Sequence, residues 1–197
     1  MIESEIREFA KDNFIPIVRP KTSELLIEKV KEVDPNNILE IGTAIGYSGI
    51  LMLQNSTAKL VTLEKDEKMQ KLALENFEKE NLRDRVELIF GDAKDFIEKT
   101  PQMFDLIFLD GPKGQYLNYL PFLLKMLNKN GLLFCDNVLF GGQRTRKVGT
   151  DSRMRLQGVP GYYHLRELRR LRKMRFRVSA RRSGNCRRQS FHPCCQR

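Results

Sequence analysis

The chain has 197 residues, of which 35 are Lys or Arg and 25 are Asp or Glu, and 41% of them are hydrophobic. This length suits one domain with a proper core, and the hydrophobic fraction argues against a wholly disordered chain. Because the sequence contains neither a run of 18 apolar residues nor an apolar stretch near Met1, we expect no membrane partner, no secretory signal and a cytoplasmic location.

The formal net charge of +10 is unevenly distributed along the chain. Residues 141–197 contain 17 Lys or Arg and 2 Asp or Glu, whereas residues 1–140 contain 18 and 23. The cations of the first region are mostly Lys, those of the second are mostly Arg, and three of the four cysteines lie in the second region. The composition therefore predicts a domain over residues 1–140 and a basic, Arg- and Cys-rich tail over residues 141–197.

The first region alternates amphipathic segments with short apolar runs. Helical spacing predicts two helices at residues 6–14 and 23–33. Apolar runs predict five strands, at residues 37–41, 59–64, 86–90, 105–110 and 131–136. Helices are predicted between them, at about residues 45–53, 67–80, 92–98 and 116–127. This alternation predicts an α/β fold with a doubly wound, mostly parallel sheet.

A glycine-containing turn follows the first predicted strand, with the sequence EIGTAIGYS at residues 40–48. Glycines at such a junction let a ligand approach the backbone, and a helix N-terminus adds amide donors. The G-x-x-x-G spacing differs from that of dinucleotide sites, which favours a ligand without phosphates over NAD. Glu64 ends the next strand, 22 positions after Gly42, where a carboxylate can accept both ribose hydroxyls of an adenosine. A plain turn explains either feature alone, but together they predict a nucleoside pocket.

Oxygen-bearing side chains follow the last two predicted strands. Asp110 ends the fourth, and Asp136 and Asn137 end the fifth. Ligands of open α/β sheets bind beyond the carboxyl ends of the strands, and a set of oxygens without His or Cys suits a hard cation such as Mg²⁺. Strand-end turn residues are the alternative explanation. The paired placement, with Lys113 three residues after Asp110, favours a functional site.

Three stretches together resemble the cation-dependent O-methyltransferases, the family of the catechol and caffeoyl-CoA enzymes. They are LEIGTAIGYS at residues 39–48, DGPKGQY at 110–116 and DNVLF at 136–140. The last two look closest to the bacterial branch that methylates 5-hydroxyuridine in tRNA. The resemblance covers about residues 15–140 and implies a Rossmann-like, class I S-adenosylmethionine-dependent methyltransferase domain over residues 1–140.

The resemblance also implies roles for individual residues. It implies that the S-adenosylmethionine pocket is formed by Val18, Glu40, Gly42, Ser48, Glu64, Asp92, Ala93 and Asp110. It implies that Asp110, Asp136 and Asn137 bind the metal, and that Lys113 is the catalytic base or an orienting cation.

The implied reaction transfers a methyl group to a hydroxyl that lies beside a second oxygen, with Mg²⁺ chelated by both. We favour 5-hydroxyuridine in tRNA as the substrate, with 5-methoxyuridine as the product. A small catechol offers the same pair of oxygens and is the first alternative. A truncated, non-catalytic protein that binds S-adenosylmethionine or RNA is the second. The sequence does not fix the oligomeric state, and a homodimer is one possibility.

The resemblance ends near Phe140, where the family continues with a helix and two more strands. A shift of reading frame in the gene would produce so abrupt a change, and we favour it over a genuine basic arm for nucleic acid. The tail has no motif, and Cys186, Cys194 and Cys195 lack a familiar zinc spacing. We expect it to be largely disordered, or packed without a pair of strands that completes the sheet, and residues 162–178 show a weak basic helical pattern. The fifth strand would then be an open edge, and the sheet incomplete.

Overall fold

The computed structural model describes residues 2–111, 115–136 and 161–164, with only the backbone described at residues 2, 3, 117 and 161–164. Helices and strands alternate along most of the chain. In order, they are α1 (Ile2–Asp12), α2 (Pro20–Val33), β1 (Asn37–Ile41), α3 (Tyr47–Gln54), β2 (Lys59–Glu64), α4 (Glu67–Lys79), β3 (Val86–Phe90), α5 (Ala93–Lys99), β4 (Phe104–Leu109), α6 (Tyr116–Met126), β5 (Leu127–Cys135) and β6 (Gly161–His164).

The described strands form one sheet in the order β3-β2-β1-β4-β5-β6. The first five run parallel to one another, and β6 runs antiparallel to β5. The chain reverses direction across the sheet between β3 and β4, which is the doubly wound topology of Rossmann-like folds. The predicted α/β fold class is confirmed.

Strand β6 corrects the prediction for the edge of the sheet. Its four residues pair with the outer side of β5, with Gly161 opposite Cys135 and His164 opposite Leu132. The sequence predicts an open edge at β5 and a weak helical pattern from residue 162, and both predictions are wrong for these four residues. An unpaired strand edge offers backbone donors and acceptors that an extended segment can satisfy without an apolar pattern of its own. The rest of the predicted tail lies outside the described residues.

The sheet buries both of its faces against helices. Successive strand residues alternate between the two sides, so that Ile38 packs with α1 to α4, whereas Leu39 packs with α5 and α6. On β4, Leu106 packs on the same side as Ile38, and Ile107 packs on the same side as Leu39. This double burial explains why the central strands are almost wholly apolar. In the part of the chain that the structure covers, no helix has both the length and the apolar character needed to span a membrane.

The parallel strands all end at the same edge of the sheet. The residues at or just after those ends are Gly42, Glu64, Gly91, Asp110 and Asp136. Three of these five carry a carboxylate and the other two are glycines, so this edge combines negative charge with a closely approachable backbone.

Candidate active site

The turn after β1 is pressed against the end of β4. Gly42 has a φ of +99°, and a Cβ atom there would lie 2.5 Å from the backbone oxygen of Asp110. The backbone nitrogens of Gly42 and Thr43 both donate to the carbonyl oxygen of Leu63, at 3.1 and 3.2 Å. Only glycine satisfies both the left-handed conformation and the lack of space, so the turn is fixed between its neighbouring strands.

A buried polar network lies beneath this turn. Glu40 is 0% exposed, and its two carboxylate oxygens accept hydrogen bonds from Ser48 Oγ at 2.5 Å and from Thr62 Oγ1 at 2.6 Å. Because the Thr62 hydroxyl donates to Glu40, the Thr43 hydroxyl, 2.6 Å away, donates to Thr62. Burial raises the pKa of Glu40 to about 7; the two hydrogen bonds oppose this rise, and the nearby Asp110 and Glu64 add to it. The network joins β1, β2, the turn and α3.

An open cleft of about 370 Å³ lies above the turn. Its volume falls within the range of roughly 300–1,000 Å³ that small-molecule sites occupy. The residues that line it are Ile41, Gly42, Leu63, Glu64, Lys65, Gly91, Asp92, Ala93, Asp110, Gly111, Gln115 and Tyr119. Three carboxylates and one ammonium group among them make the cleft acidic, which favours a cationic or hydroxyl-bearing ligand over an anionic one.

The carboxylates of the cleft are held by backbone donors. Glu64 accepts from the nitrogen of Ala44 at 2.8 Å and from those of Lys65 and Asp66 at 2.9 Å each. Asp92 caps α5 by accepting from the nitrogen of Lys94 at 2.8 Å. A carboxylate offers about four acceptor positions. Glu64 therefore keeps capacity for a ligand hydroxyl while its orientation is fixed.

Two further carboxylates follow β4 and β5, which are neighbours in the sheet. Leu109 is the partner of Cys135, so Asp110 and Asp136 are the next residues on adjacent strands. The backbone nitrogen of Asp136 donates to the Leu109 carbonyl oxygen at 3.0 Å, and the Asp136 residue is only 4% exposed. Tyr116 Oη lies 3.1 Å from the carbonyl oxygens of both Leu109 and Asp136. Burial, and then the charge of Asp110, raises the pKa of Tyr116.

This pair of carboxylates has the chemistry of a partial site for a hard cation. Among the described residues, no group of three or more His, Cys, Asp or Glu side chains could hold a metal ion. The third predicted ligand, Asn137, is an amide and lies outside the described residues, as does Lys113. The two carboxylates fit such a cation in kind, but the described residues do not complete its ligand set.

The structure brings most, but not all, of the predicted cofactor residues to the cleft. Those that line it are Gly42, Glu64, Asp92, Ala93 and Asp110. Val18 does not line it, because it is 3% exposed and packs in the core. Glu40 and Ser48 lie below the cleft and bind each other.

Sequence reasoning missed several residues of this region. They are Thr43, Thr62, Lys65, Gly91, Gln115, Tyr116 and Tyr119. A signal existed for three of them: Thr43 lies in the EIGTAIGYS turn, and Gln115 and Tyr116 end the DGPKGQY stretch.

A family model described as O-methyltransferase matches residues 3–178 of the chain. The chain belongs to the O-methyltransferase family. The match includes β6 and the change of composition near residue 141.

Individual relatives agree with this assignment. The catechol O-methyltransferase of Niastella koreensis is 32% identical over 132 residues, which are 64% of this chain and 60% of the relative. The structure of the Bacillus cereus O-methyltransferase in complex with SAH has a TM-score of 0.68 and 30% identity, covering 87% of this chain and 76% of that one. SAH-bound Podospora anserina methyltransferase has a TM-score of 0.58 and 34% identity, covering 61% and 54%.

The predicted resemblance to the catechol and caffeoyl-CoA type of O-methyltransferase is thereby confirmed. The bacterial tRNA branch stays a prediction. The chain spans about half to three fifths of the length of the curated relatives that it matches first.

Proposed function

We propose that this chain is an S-adenosylmethionine-dependent, Mg²⁺-assisted O-methyltransferase that acts on a small molecule with two adjacent oxygens, as in a catechol. The observation that carries the proposal is the acidic cleft at the carboxyl edge of the sheet, between a glycine turn and the pair Asp110 and Asp136. The relatives named for catechol favour a small molecule over the tRNA substrate that the sequence alone favoured.

The cofactor half of the proposal rests on complementarity. Glu64 is an oriented acceptor with capacity left for a ribose hydroxyl, and the glycine at position 42 lets the turn pack against the Asp110 backbone while it lines the cleft. The sulfonium and ammonium charges of S-adenosylmethionine complement the carboxylates of Asp92 and Asp110. We assign Glu40 and Ser48 to the support of the turn from below, and Val18 to the packing of the segment before β1.

The cation half rests on Asp110 and Asp136, with Asn137 as the proposed third ligand. When bound, Mg²⁺ supplies a Lewis acid that lowers the pKa of a substrate hydroxyl, and S-adenosylmethionine supplies the methyl group. The residues that line the cleft would orient the bound cofactor and substrate, so that most of the acceleration would come from positioning. Lys113 either accepts the hydroxyl proton or stabilises the oxyanion.

Methyl transfer to a catechol and to tRNA carrying 5-hydroxyuridine, each assayed with Mg²⁺ and with excess EDTA, tests the function. We expect Mg²⁺-dependent methylation of the catechol, and its loss in Asp136→Ala with little change in S-adenosylmethionine affinity. Methylation of tRNA alone would overturn the choice of substrate, and full turnover in EDTA would overturn the metal. A protein that binds the cofactor but methylates neither substrate would support the truncated, non-catalytic alternative.

The cofactor assignment is tested by Glu64→Gln. The substitution removes the negative charge and one acceptor oxygen but keeps the size of the side chain. Since a hydrogen bond to a charged group contributes about 1.5–3 kcal/mol, SAH affinity should fall roughly 10- to 150-fold by calorimetry. Glu67→Gln is the matched control, because Glu67 is exposed on α4 and pairs with Lys71 away from the cleft. Equal affinities for the two variants would remove Glu64 from the pocket.

A further inference from the structure

We propose that Tyr116 is a positioning residue that fixes the cation site by joining the ends of β4 and β5. The inference rests on the proposed function, since it concerns the Mg²⁺ that Asp110 and Asp136 are proposed to bind. Tyr116 belongs to the DGPKGQY stretch, but no role in cofactor binding, metal binding or proton transfer has been assigned to it.

The hydroxyl of Tyr116 lies at the point where the two strands stop pairing. It is 3.1 Å from the carbonyl oxygen of Leu109, the residue before Asp110, and 3.1 Å from the carbonyl oxygen of Asp136 itself. One phenolic proton is thus shared between the backbones that carry the two carboxylates. The same Leu109 oxygen also accepts from the nitrogen of Asp136. Two hydrogen bonds, from Tyr116 and from Asp136, therefore meet at this carbonyl oxygen.

The aromatic ring of Tyr116 is held by packing against the core. Tyr116 is the first residue of α6, and its half-buried ring packs against the core cluster that includes Leu109, Leu123 and Cys135. The residue therefore links the start of a packed helix to two strand ends. It is not among the residues that line the cleft, so it acts through the backbones of Leu109 and Asp136 rather than on a ligand.

The separation of two carboxylates on adjacent strands matters more for Mg²⁺ than for larger ions. Mg²⁺ demands nearly octahedral ligands at about 2.0–2.1 Å, whereas Ca²⁺ accepts flexible arrangements at about 2.3–2.6 Å. Loss of the shared hydroxyl removes its two contacts with the strand ends, while the bond from the nitrogen of Asp136 to Leu109 stays. Residues that orient metal ligands typically change metal affinity by about 10- to 100-fold when they are altered.

The test is Tyr116→Phe in the full chain, which removes the hydroxyl and keeps the packed ring. Calorimetric titration with Mg²⁺ and Ca²⁺ in the presence of SAH should show Mg²⁺ affinity falling roughly 10- to 100-fold, with Ca²⁺ affinity falling less. SAH affinity should change less than about twofold and, together with circular dichroism, reports that the variant is folded. In kinetics, the Mg²⁺ concentration for half-maximal rate should rise while kcat at saturating Mg²⁺ is largely retained.

Tyr119→Phe is the matched control, one helical turn further along α6. Its hydroxyl lies 3.4 Å from Asp92 Oδ1, on the cofactor side of the cleft, so this variant should keep the Mg²⁺ affinity of the wild type. Unchanged Mg²⁺ affinity in Tyr116→Phe would overturn the inference and leave the proposed function intact. Equal losses for Mg²⁺ and Ca²⁺, or equal losses in both variants, would also overturn it. Failure of the wild type to bind either cation would overturn both the inference and the metal half of the proposed function.

Discussion

Glu40 is the residue whose chemistry depends most on the fold around it. Its carboxylate has no contact with solvent, and both oxygens bind hydroxyls that come from α3 and β2. The sequence indicates Glu40 through the motif to which it belongs. It does not indicate Thr62, because side chains meet across strands only once the strand order is known. Local motifs therefore predicted the cleft residues better than the support beneath them.

The raised pKa of Glu40 predicts a pH dependence of stability. Between its ordinary value of 4.5 and about 7, the folded protein keeps the proton that the unfolded chain releases. The free energy of unfolding should therefore fall by about 3 kcal/mol as pH rises through this window, and this contribution is constant outside it. In Glu40→Gln this part of the pH dependence should vanish, as measured by urea unfolding at pH 5 and pH 8. The control is Glu87→Gln, because Glu87 is exposed on β3, and this variant should keep the pH dependence of the wild type. The prediction would be contradicted if the stability of Glu40→Gln changed with pH as much as that of Glu87→Gln.

Among whole elements, the strands were predicted better than the helices. The predicted bounds of β1, β2 and β3 agree with the structure. For β1 and β2 the reason is that strands buried on both faces are mostly apolar runs. Helix α3 was predicted from residue 45 but begins at Tyr47, because Gly46 adopts a φ of +83° as its N-cap. Strand β5 was predicted from residue 131 but begins at Leu127, directly after α6. Its first residue, Leu127, is buried, but residues 128–130 are polar and partly or fully exposed, so the sequence gives no strand signal there.

Arg85 connects elements at the edge of the sheet opposite the cleft. Its guanidinium donates to the carbonyl oxygens of Leu53, Ser56 and Ala58, at 2.7 to 3.0 Å, which closes the connection from α3 to β2. Arg85→Lys retains the charge but loses the planar set of donors, so we expect a loss of about 2 kcal/mol in the free energy of unfolding. Arg83→Lys, which alters a single bond to Val86, should cost less than half as much.

Urea unfolding measures both arginine variants, and SAH titration adds the functional comparison. Because Arg85 lies at the amino ends of the strands, SAH affinity should not change in either variant. A weakened cofactor affinity in Arg85→Lys would show that the two edges of the sheet are coupled.

At the scale of the whole molecule, the distribution of charge and the pairing of strands indicate different ends for the folded domain. Residues 1–140 have 23 acidic and 18 basic side chains, and the composition changes abruptly after them. Nevertheless, Gly161–His164 completes the edge of the sheet, and the family match continues to residue 178. The frame-shift hypothesis and the basic-arm hypothesis both stay predictions, and they differ in how far the stabilising part of the chain extends.

Two truncations separate the contribution of β6 from that of the residues after it. A chain ending at Phe140 lacks β6 and leaves the outer side of β5 without its partner, whereas a chain ending at His164 keeps the pairing of Leu132 through Cys135. Backbone hydrogen bonds contribute about 0.5–1.5 kcal/mol each, so the shorter chain should lose about 1–3 kcal/mol and expose a strand edge that promotes association.

The longer truncation should unfold within about 1 kcal/mol of the full chain. Residues 165–197 contain 12 Lys or Arg and 1 Glu with little apolar periodicity, so they have little surface to bury against the domain. Thermal unfolding and light scattering on the three chains measure stability and association together. Equal stability of both truncations would show that β6 contributes nothing to the fold. A large loss on removing residues 165–197 alone would show that the Arg-rich segment is an integral part of the domain, and the frame-shift hypothesis would then be wrong.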